Sequence, residues 1–253
     1  MFGITFDTWE FFESIPENKS FSNLAFQIDA GIFQHPYWQK KLKKLQFASL
    51  SVRNPVNTRL NRLILESPFK LQTDYLESLA KQLDLYNKSA VTKVMFDFDL
   101  AGIFGNDFLC EKLLTLLGSI KGIAAENNIK VELLFRLPFA VMADFIISAA
   151  KFRQTTLLGM DFAVDMHIHE AGFVRDDIID LLLPIEYDIK SVNFIYDAAL
   201  GNKINIQNLL IMTDKFNSKG INCDYFLCPA GNIDFQFVEQ EINQWINISE
   251  NNF

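Results

Sequence analysis

The residues best suited to chemistry in this chain lie in the segment 165–170, which reads DMHIHE. Successive side chains of an extended strand point to opposite faces, so Asp165, His167 and His169 share one face. An aspartate with imidazoles suits Zn, Mn or Fe, whereas Mg prefers oxygen ligands alone. A histidine beside a carboxylate has its charged form favoured and can serve as a general acid–base catalyst. The segment therefore predicts either a metal site or an acid–base site.

Further polar and charged residues fall near the ends of other apolar segments: Asp7, Asp29, Arg53, Asp97, Asp99, Arg136, Asp197 and Cys228. Carboxylates brought together repel one another, and in a partly dry site each stays ionised only beside a cation, hydrogen-bond donors or a positive partner. Arg53 and Arg136 are too few to neutralise all of them. Either some carboxyls stay protonated or a cation is present, and a structural network of Asp–Arg pairs is the alternative.

Eight short segments carry these residues, and each alternates between apolar and polar positions. The apolar positions are Ile4 and Phe6; Leu24, Phe26 and Ile28; Ala48, Leu50 and Val52; Val94, Phe96 and Phe98; Val131, Leu133, Phe135 and Leu137; Leu158, Met160, Phe162, Val164, Met166 and Ile168; Val192, Phe194 and Tyr196; and Cys223, Tyr225 and Leu227. Each segment therefore predicts a strand with one apolar and one polar side.

The lengths between the strands decide how they pair. An open parallel sheet is covered on both faces and gives continuous apolar runs, while antiparallel strands are joined by short turns. Most connections here span roughly 15 to 40 residues with helical patterning, as parallel crossovers require. A closed (β/α)8 TIM barrel with a polar lumen satisfies both observations. The helical patterns cover 9–13, 36–44, 71–87, 107–126, 139–152, 172–183, 205–218 and 234–247, with an extra helix between Arg53 and Lys70.

Active sites of such barrels lie at the carboxyl ends of the strands. There Asp97 and Asp99 would hold hydroxyls or a cation, and Arg53 and Arg136 would bind a carboxylate or phosphate. Three further substrate contacts are predicted at Asp7, Asp29 and Trp9, the last by stacking on a ring. Lys203, with Gly201 and Gly231 in the loops after the last two strands, could bind phosphate, although ordinary turns and helix caps explain these loops equally.

Composition excludes several classes of function. A net charge of −8 disfavours nucleic-acid binding, which needs a basic stripe. The sequence shows neither a signal peptide nor a membrane span, and three cysteines without metal-type spacing fit reduced thiols in the cytoplasm. No Gly-x-Ser-x-Gly, Walker or dinucleotide motif is present, and no inward lysine ends a strand for Schiff-base chemistry. Without a linker or composition break, residues 1–253 are expected to form a single domain.

Two motifs in this chain resemble those of the xylose-isomerase-like barrels, which include sugar isomerases, epimerases and endonucleases. The first is Asp165-x-His167, and the second, some thirty residues later, is Asp197 at the end of FIYD. The resemblance implies that Asp165 and Asp197 are metal ligands and that His167 contacts the substrate or transfers a proton. The chain departs from the family pattern, which has Glu at the position of Asp165 and His at that of Leu200. By strand count, the two matched motifs also lie one strand later in this chain than in the family.

Three hypotheses follow. The first is a cytoplasmic enzyme that acts by isomerase- or epimerase-type proton transfer on a sugar or polyoxygenated metabolite, with His167 or His169 as acid–base group and Asp165 and Asp197 orienting it. Asp165, His167 and Asp197 could hold Mn, Zn or Fe. The second is a metal-free lyase or hydrolase with paired carboxylates, and the third is an inactive barrel that binds a ligand or a protein. The fold alone does not choose among them.

Overall fold

The structure is a computed structural model that describes residues 1–17, 19–55, 62–67, 69–97, 107–136, 161–167, 180, 182, 188–197, 206–230 and 234–251. Eight parallel strands close into a barrel, in which each strand pairs with the next along the chain and β8 pairs with β1. The strands are β1 (Phe2–Phe6), β2 (Ser20–Asp29), β3 (Gln46–Arg53), β4 (Val91–Asp97), β5 (Lys130–Arg136), β6 (Asp161–His167), β7 (Ile189–Asp197) and β8 (Asp224–Ala230). The predicted (β/α)8 barrel is confirmed.

Helices connect the strands. They are α1 (Trp9–Glu13), α2 (Trp38–Leu42), α3 (Arg62–Glu66), α4 (Phe69–Asn87), α5 (Asp107–Glu126), α6 (Ile206–Ser218) and α7 (Phe235–Asn251), with a 3-10 helix at Ala30–Gln34. These match the expected helices, including the extra one between Arg53 and Lys70, while the predictions for 139–152 and most of 172–183 lie outside the described residues. None of the helices described above is long and apolar enough to cross a membrane.

The apolar strand faces pack outward against the helices, as the alternation predicts. Phe6 contacts Phe11 of α1 at a ring-centroid distance of 5.0 Å, and Phe194 contacts Trp245 of α7 at 5.7 Å. All four side chains are buried in one continuous core between the barrel and its helices. Burial of each such side chain stabilises the fold by about 1.5–3 kcal/mol, so this layer supplies the main driving force for closing the barrel.

The lumen is polar but not uniformly so. Two small apolar clusters interrupt it, one of Ala25, Phe226 and Cys228 with Ile195 against them, and one of Met95, Leu134 and Ala163. A Cβ at Gly3 would lie 2.5 Å from the carbonyl oxygen of Ala25, so only glycine fits at that point of β1. These apolar contacts separate the polar groups at the carboxyl end of the lumen from those at the amino end.

Candidate active site

A buried ion pair spans the lumen at the carboxyl ends of the strands. Arg53 is the last residue of β3, and its Nη2 donates to Oδ2 of Asp165 on β6 at 2.6 Å. Both side chains are less than one-tenth exposed. Alternation along β3 and β6 predicted that each points inward, and in the structure the two meet. The Asp–Arg alternative raised by the sequence is therefore present, on the same face as the proposed site.

The ion pair belongs to a closed circuit of hydrogen bonds, here called the polar ring. Its members, in the order in which they are bonded, are Arg53, Asp165, Asn193, Gln27, Thr5 and Cys228. Asn193 donates to Oδ1 of Asp165 at 2.8 Å, and Gln27 donates to Asn193 Oδ1 at 3.2 Å. All members are buried. Buried polar groups need such partners, because an unpaired one costs about 1–3 kcal/mol.

The far side of the polar ring closes through a thiol. Thr5 donates to Gln27 Oε1 at 2.9 Å, Cys228 Sγ donates to Thr5 Oγ1 at 2.8 Å, and Arg53 Nη1 approaches the sulfur at 3.9 Å. Burial raises the pKa of Cys228 to about 12, although the charge of Arg53 opposes the shift. Burial lowers the pKa of Arg53, but the charge of Asp165 and the hydrogen bond to it outweigh burial and raise that pKa. At neutral pH the ring therefore holds a thiol and a guanidinium.

Asn54 ties neighbouring strand ends together above the polar ring. Its Nδ2 lies 3.5 Å from Oδ2 of Asp29, and its Oδ1 accepts the backbone N–H of Asp97 at 3.2 Å. Its φ of 51° lies in the left-handed region, which Asn tolerates better than most residues. Asp29 also caps the 3-10 helix by accepting from the N–H of Gly31 at 2.9 Å. Asp29 is thus partly engaged in a structural role, whereas Asp97 is buried at the end of β4.

Asp7 and Trp9 follow β1 at the same end of the barrel. Partial burial raises the pKa of Asp7, the charge of Arg53 lowers it, and that of Asp29 raises it. Trp9 stacks on His35 at a centroid distance of 3.7 Å and an interplanar angle of 16°. One face of the indole is therefore covered within the protein, and stacking on a substrate ring would have to use the other face.

Several predicted site residues are placed only by their backbone or lie outside the described part. His167 ends β6 two residues after Asp165, and Asp197 ends β7 opposite Ala230. Arg136 ends β5 in register with Asp165. The side chains of these three, together with Asp99, His169 and Lys203, lie outside what the structure describes, so their roles stay predictions.

Asp165 is a poor metal ligand in this arrangement. One of its oxygens accepts from Arg53 and the other from Asn193, so a metal ion bound there would lie beside the positive charge of the guanidinium or take its place. No three His, Cys, Asp or Glu side chains among the described residues form a group that could hold a metal ion. A metal shared by Asp165, His167 and Asp197 thus stays a prediction, and Asp165, the one side chain of that set that the structure describes, does not favour it.

A second charged cluster lies at the amino end of the lumen. Lys93 Nζ lies 2.6 Å from Glu132 Oε1 and 3.5 Å from Asp224 Oδ2, and it donates to Ser191 Oγ at 3.1 Å. Ser191 in turn donates to Glu132 at 2.8 Å. Burial raises the pKa of Glu132 despite the charge of Lys93. Burial lowers the pKa of Lys93, but its negative partners outweigh burial and raise that pKa.

Strand alternation places most of these groups on the inward face but suggests no role for four of them. Thr5, Gln27 and Asn193 are neutral, so nothing but alternation distinguishes them from ordinary lumen residues. Lys93 is the fourth, and no role was predicted for it. The sequence does indicate that Lys93 faces inward, because Lys93 lies two residues before Met95 and four before Asp97 on the same strand face.

The whole chain can be compared with known proteins. No protein-family profile matches the sequence, and neither does any curated protein. Among solved structures, a D-tagatose 3-epimerase-like protein aligns with a TM-score of 0.65 and 13% identity over 99% of this chain and 98% of its own. The 3-keto-D-glucoside 4-epimerase from E. coli gives 0.63 and 10% over 97% and 98%.

A xylose isomerase domain protein from Alicyclobacillus acidocaldarius aligns with a TM-score of 0.58 and 11% identity over 99% of this chain and 98% of that one. The alignments span nearly the full length on both sides, so insertions or missing strands do not explain the low identity. At such identities the likeness carries the fold and nothing finer. The chain therefore has the fold of the xylose-isomerase-like barrels.

Proposed function

We propose that the carboxyl-end mouth of the barrel catalyses isomerase- or epimerase-type proton transfer on a sugar or related polyoxygenated metabolite. The observation that carries the proposal is the buried Arg53–Asp165 pair, placed at the strand ends where barrels of this architecture hold their active sites. The full-length structural likeness to a 3-keto-D-glucoside 4-epimerase and to a D-tagatose 3-epimerase-like protein supports the choice of reaction.

The proposed reaction begins with removal of a proton from a carbon beside the substrate carbonyl. His167 or His169 would take this proton and return it to the opposite face or to the neighbouring carbon, with Asp165 and Asp197 orienting the imidazole. Negative charge develops on the carbonyl oxygen as the proton leaves. A fixed guanidinium such as Arg53 stabilises charge of this kind without reorganising. Asp97, Asp29 and Asp7 would accept hydrogen bonds from substrate hydroxyls.

Hydrogen exchange with solvent tests the proposal across several substrate classes at once. Neutral ketoses, aldoses, sugar acids and sugar phosphates are incubated with the protein in D₂O, and proton NMR follows the loss of the C–H signal beside the carbonyl. We expect exchange with at least one class, abolished in Asp165→Asn and retained in Glu132→Gln, which alters a buried carboxylate at the opposite end. No exchange with any class would count against the enzyme and favour the ligand-binding alternative.

A further inference from the structure

We propose that Arg53 is the resident cation of this site and stands at Asp165 where a divalent metal ion would otherwise bind. The chemical role of that cation rests on the proposed function, but its placement rests on geometry alone. A carboxylate attracts a metal ion through its negative charge, and the charge of Asp165 is already balanced by Arg53 at 2.6 Å on one oxygen, while the other oxygen accepts from Asn193 at 2.8 Å.

Several contacts fix the position of Arg53 beside Asp165. It is fixed at the end of β3, in register with Asp29 on β2 and with Met95 on β4. Its second terminal nitrogen faces the Cys228 sulfur at 3.9 Å, and the side chain is 9% exposed. A metal ion at Asp165 would either lie against this positive charge or expel the guanidinium from a buried position and leave it without its partner. Breaking a buried ion pair in that way is strongly unfavourable.

The other members of the polar ring do not offer a replacement ligand set. Gln27, Asn193 and Thr5 are neutral and already bonded to one another or to Asp165. Cys228 would bind a metal only as a thiolate. Its thiol instead donates to Thr5, and burial raises its pKa to about 12, so the thiolate form is scarce at neutral pH. The ring therefore provides hydrogen-bond donors around one fixed organic cation.

A guanidinium changes what the site can do to a substrate. It carries five N–H donors in a plane and cannot lose its charge at physiological pH. Two of its nitrogens engage Asp165 and Cys228, and the remaining N–H groups can donate to a carbonyl or hydroxyl oxygen of the substrate. The charge that stabilises a developing oxyanion would thus come from a side chain, and chelators would not remove it.

Direct metal binding tests the inference without an activity assay. The full-length protein is treated with a chelator, dialysed and titrated with Mn²⁺, with free Mn²⁺ followed by electron paramagnetic resonance. We expect the wild type and Asp165→Asn to bind Mn²⁺ equally weakly. Arg53→Met, which removes the guanidinium from Asp165, should bind Mn²⁺ at least about tenfold more tightly, a gain that Arg53→Met/Asp165→Asn should lose. Stoichiometric, tight binding by the wild type that Asp165→Asn abolishes would overturn the inference.

If Arg53→Met does not fold, the comparison of wild type with Asp165→Asn still decides the matter. Repeating the D₂O exchange with chelator present separates the two proposals. Exchange that survives the chelator supports both. Exchange that requires added Mn²⁺, Zn²⁺ or Mg²⁺ overturns the resident cation and leaves the proposed function standing. Absence of exchange under both conditions counts against the function alone, because the Mn²⁺ titration tests the cation independently.

Discussion

Each end of the barrel buries an ion pair of the same length, yet the two pairs differ in what surrounds them. Arg53 and Asp165 meet at the carboxyl ends of the strands at 2.6 Å, and Lys93 and Glu132 meet at the amino end at 2.6 Å. Barrels of this architecture place catalysis at the carboxyl end and stability at the amino end. A buried charge pair is therefore not in itself a sign of an active site, and its position along the strands decides how it should be interpreted.

The cations themselves sharpen the contrast. Lys93 carries three N–H donors and has three partners, in Glu132, Asp224 and Ser191, so its donors are fully used. The planar guanidinium of Arg53 carries more donors than Asp165 and Cys228 consume. The amino-end cluster thus resembles a closed structural plug, although a cavity of about 390 Å³ beside it could hold a small ligand.

The largest expected effect is on the reactivity of two buried thiols, Cys228 at the carboxyl end of the barrel and Cys223 at the amino end. Burial raises the pKa of both Cys228 and Cys223 to about 12. At pH 8 each should form about 10³-fold less thiolate than an ordinary thiol and react correspondingly slowly with Ellman's reagent. The measurement uses Cys110→Ser and repeats the reaction in denaturant as a control. Rapid labelling of native Cys228 would show that the polar ring opens to solvent.

Removal of either cation should cost similar stability. Arg53→Met and Lys93→Met each remove the described cation from a buried carboxylate, and each should lower the free energy of unfolding by about 3–5 kcal/mol, measured by urea denaturation. Glu132→Gln/Lys93→Met should recover part of the loss. A cost below about 1 kcal/mol at one end would mean that water reaches that pair and that the two ends are not equivalent in burial.

Gly3 tests the packing between the two charged layers. A methyl group there would press against the backbone of β2 and the ring of Phe226, whose atoms lie 2.5 Å from an ideal Cβ. We expect Gly3→Ala to destabilise the fold by about 1–3 kcal/mol, measured by thermal unfolding. Gly122→Ala on α5, where a Cβ meets nothing within 4 Å, is the matched control and should be neutral or slightly stabilising. Equal effects would show that the lumen is loosely packed.

The smallest expected effect is a pH dependence of stability that differs between the two ends of the barrel. Burial lowers the pKa of Lys93, but the charge of Glu132 outweighs it and raises that pKa above 10.5. The ion pair therefore contributes fully below pH 10.5 and is lost as pH rises through the folded value. The stability difference between wild type and Lys93→Met should shrink above about pH 10.5, whereas that for Arg53→Met should not. Urea denaturation across this range measures both, and parallel curves would contradict the assignment.

Strand alternation was enough to predict the barrel and the inward direction of Arg53 and Asp165, because one apolar and one polar face per strand admit few other parallel folds. It could not predict that Arg53 reaches Asp165, since which strands face each other across the lumen depends on the stagger of the closed sheet. Neither could it reveal Gln27 or Asn193, whose neutral side chains matter only through their partners. The roles of His167, His169 and Asp197, and the single-domain extent of 1–253, stay predictions.

The most direct test of catalysis at the carboxyl end of the barrel is hydrogen exchange with solvent. The wild type, Asp165→Asn and Glu132→Gln are each incubated in D₂O with the sugar class that exchanges fastest. We expect the wild type and Glu132→Gln to exchange at rates within about threefold, while Asp165→Asn is slower by about 10²–10⁴-fold. Equal rates in Asp165→Asn and wild type, with loss in Glu132→Gln, would place the chemistry at the amino end and contradict the account.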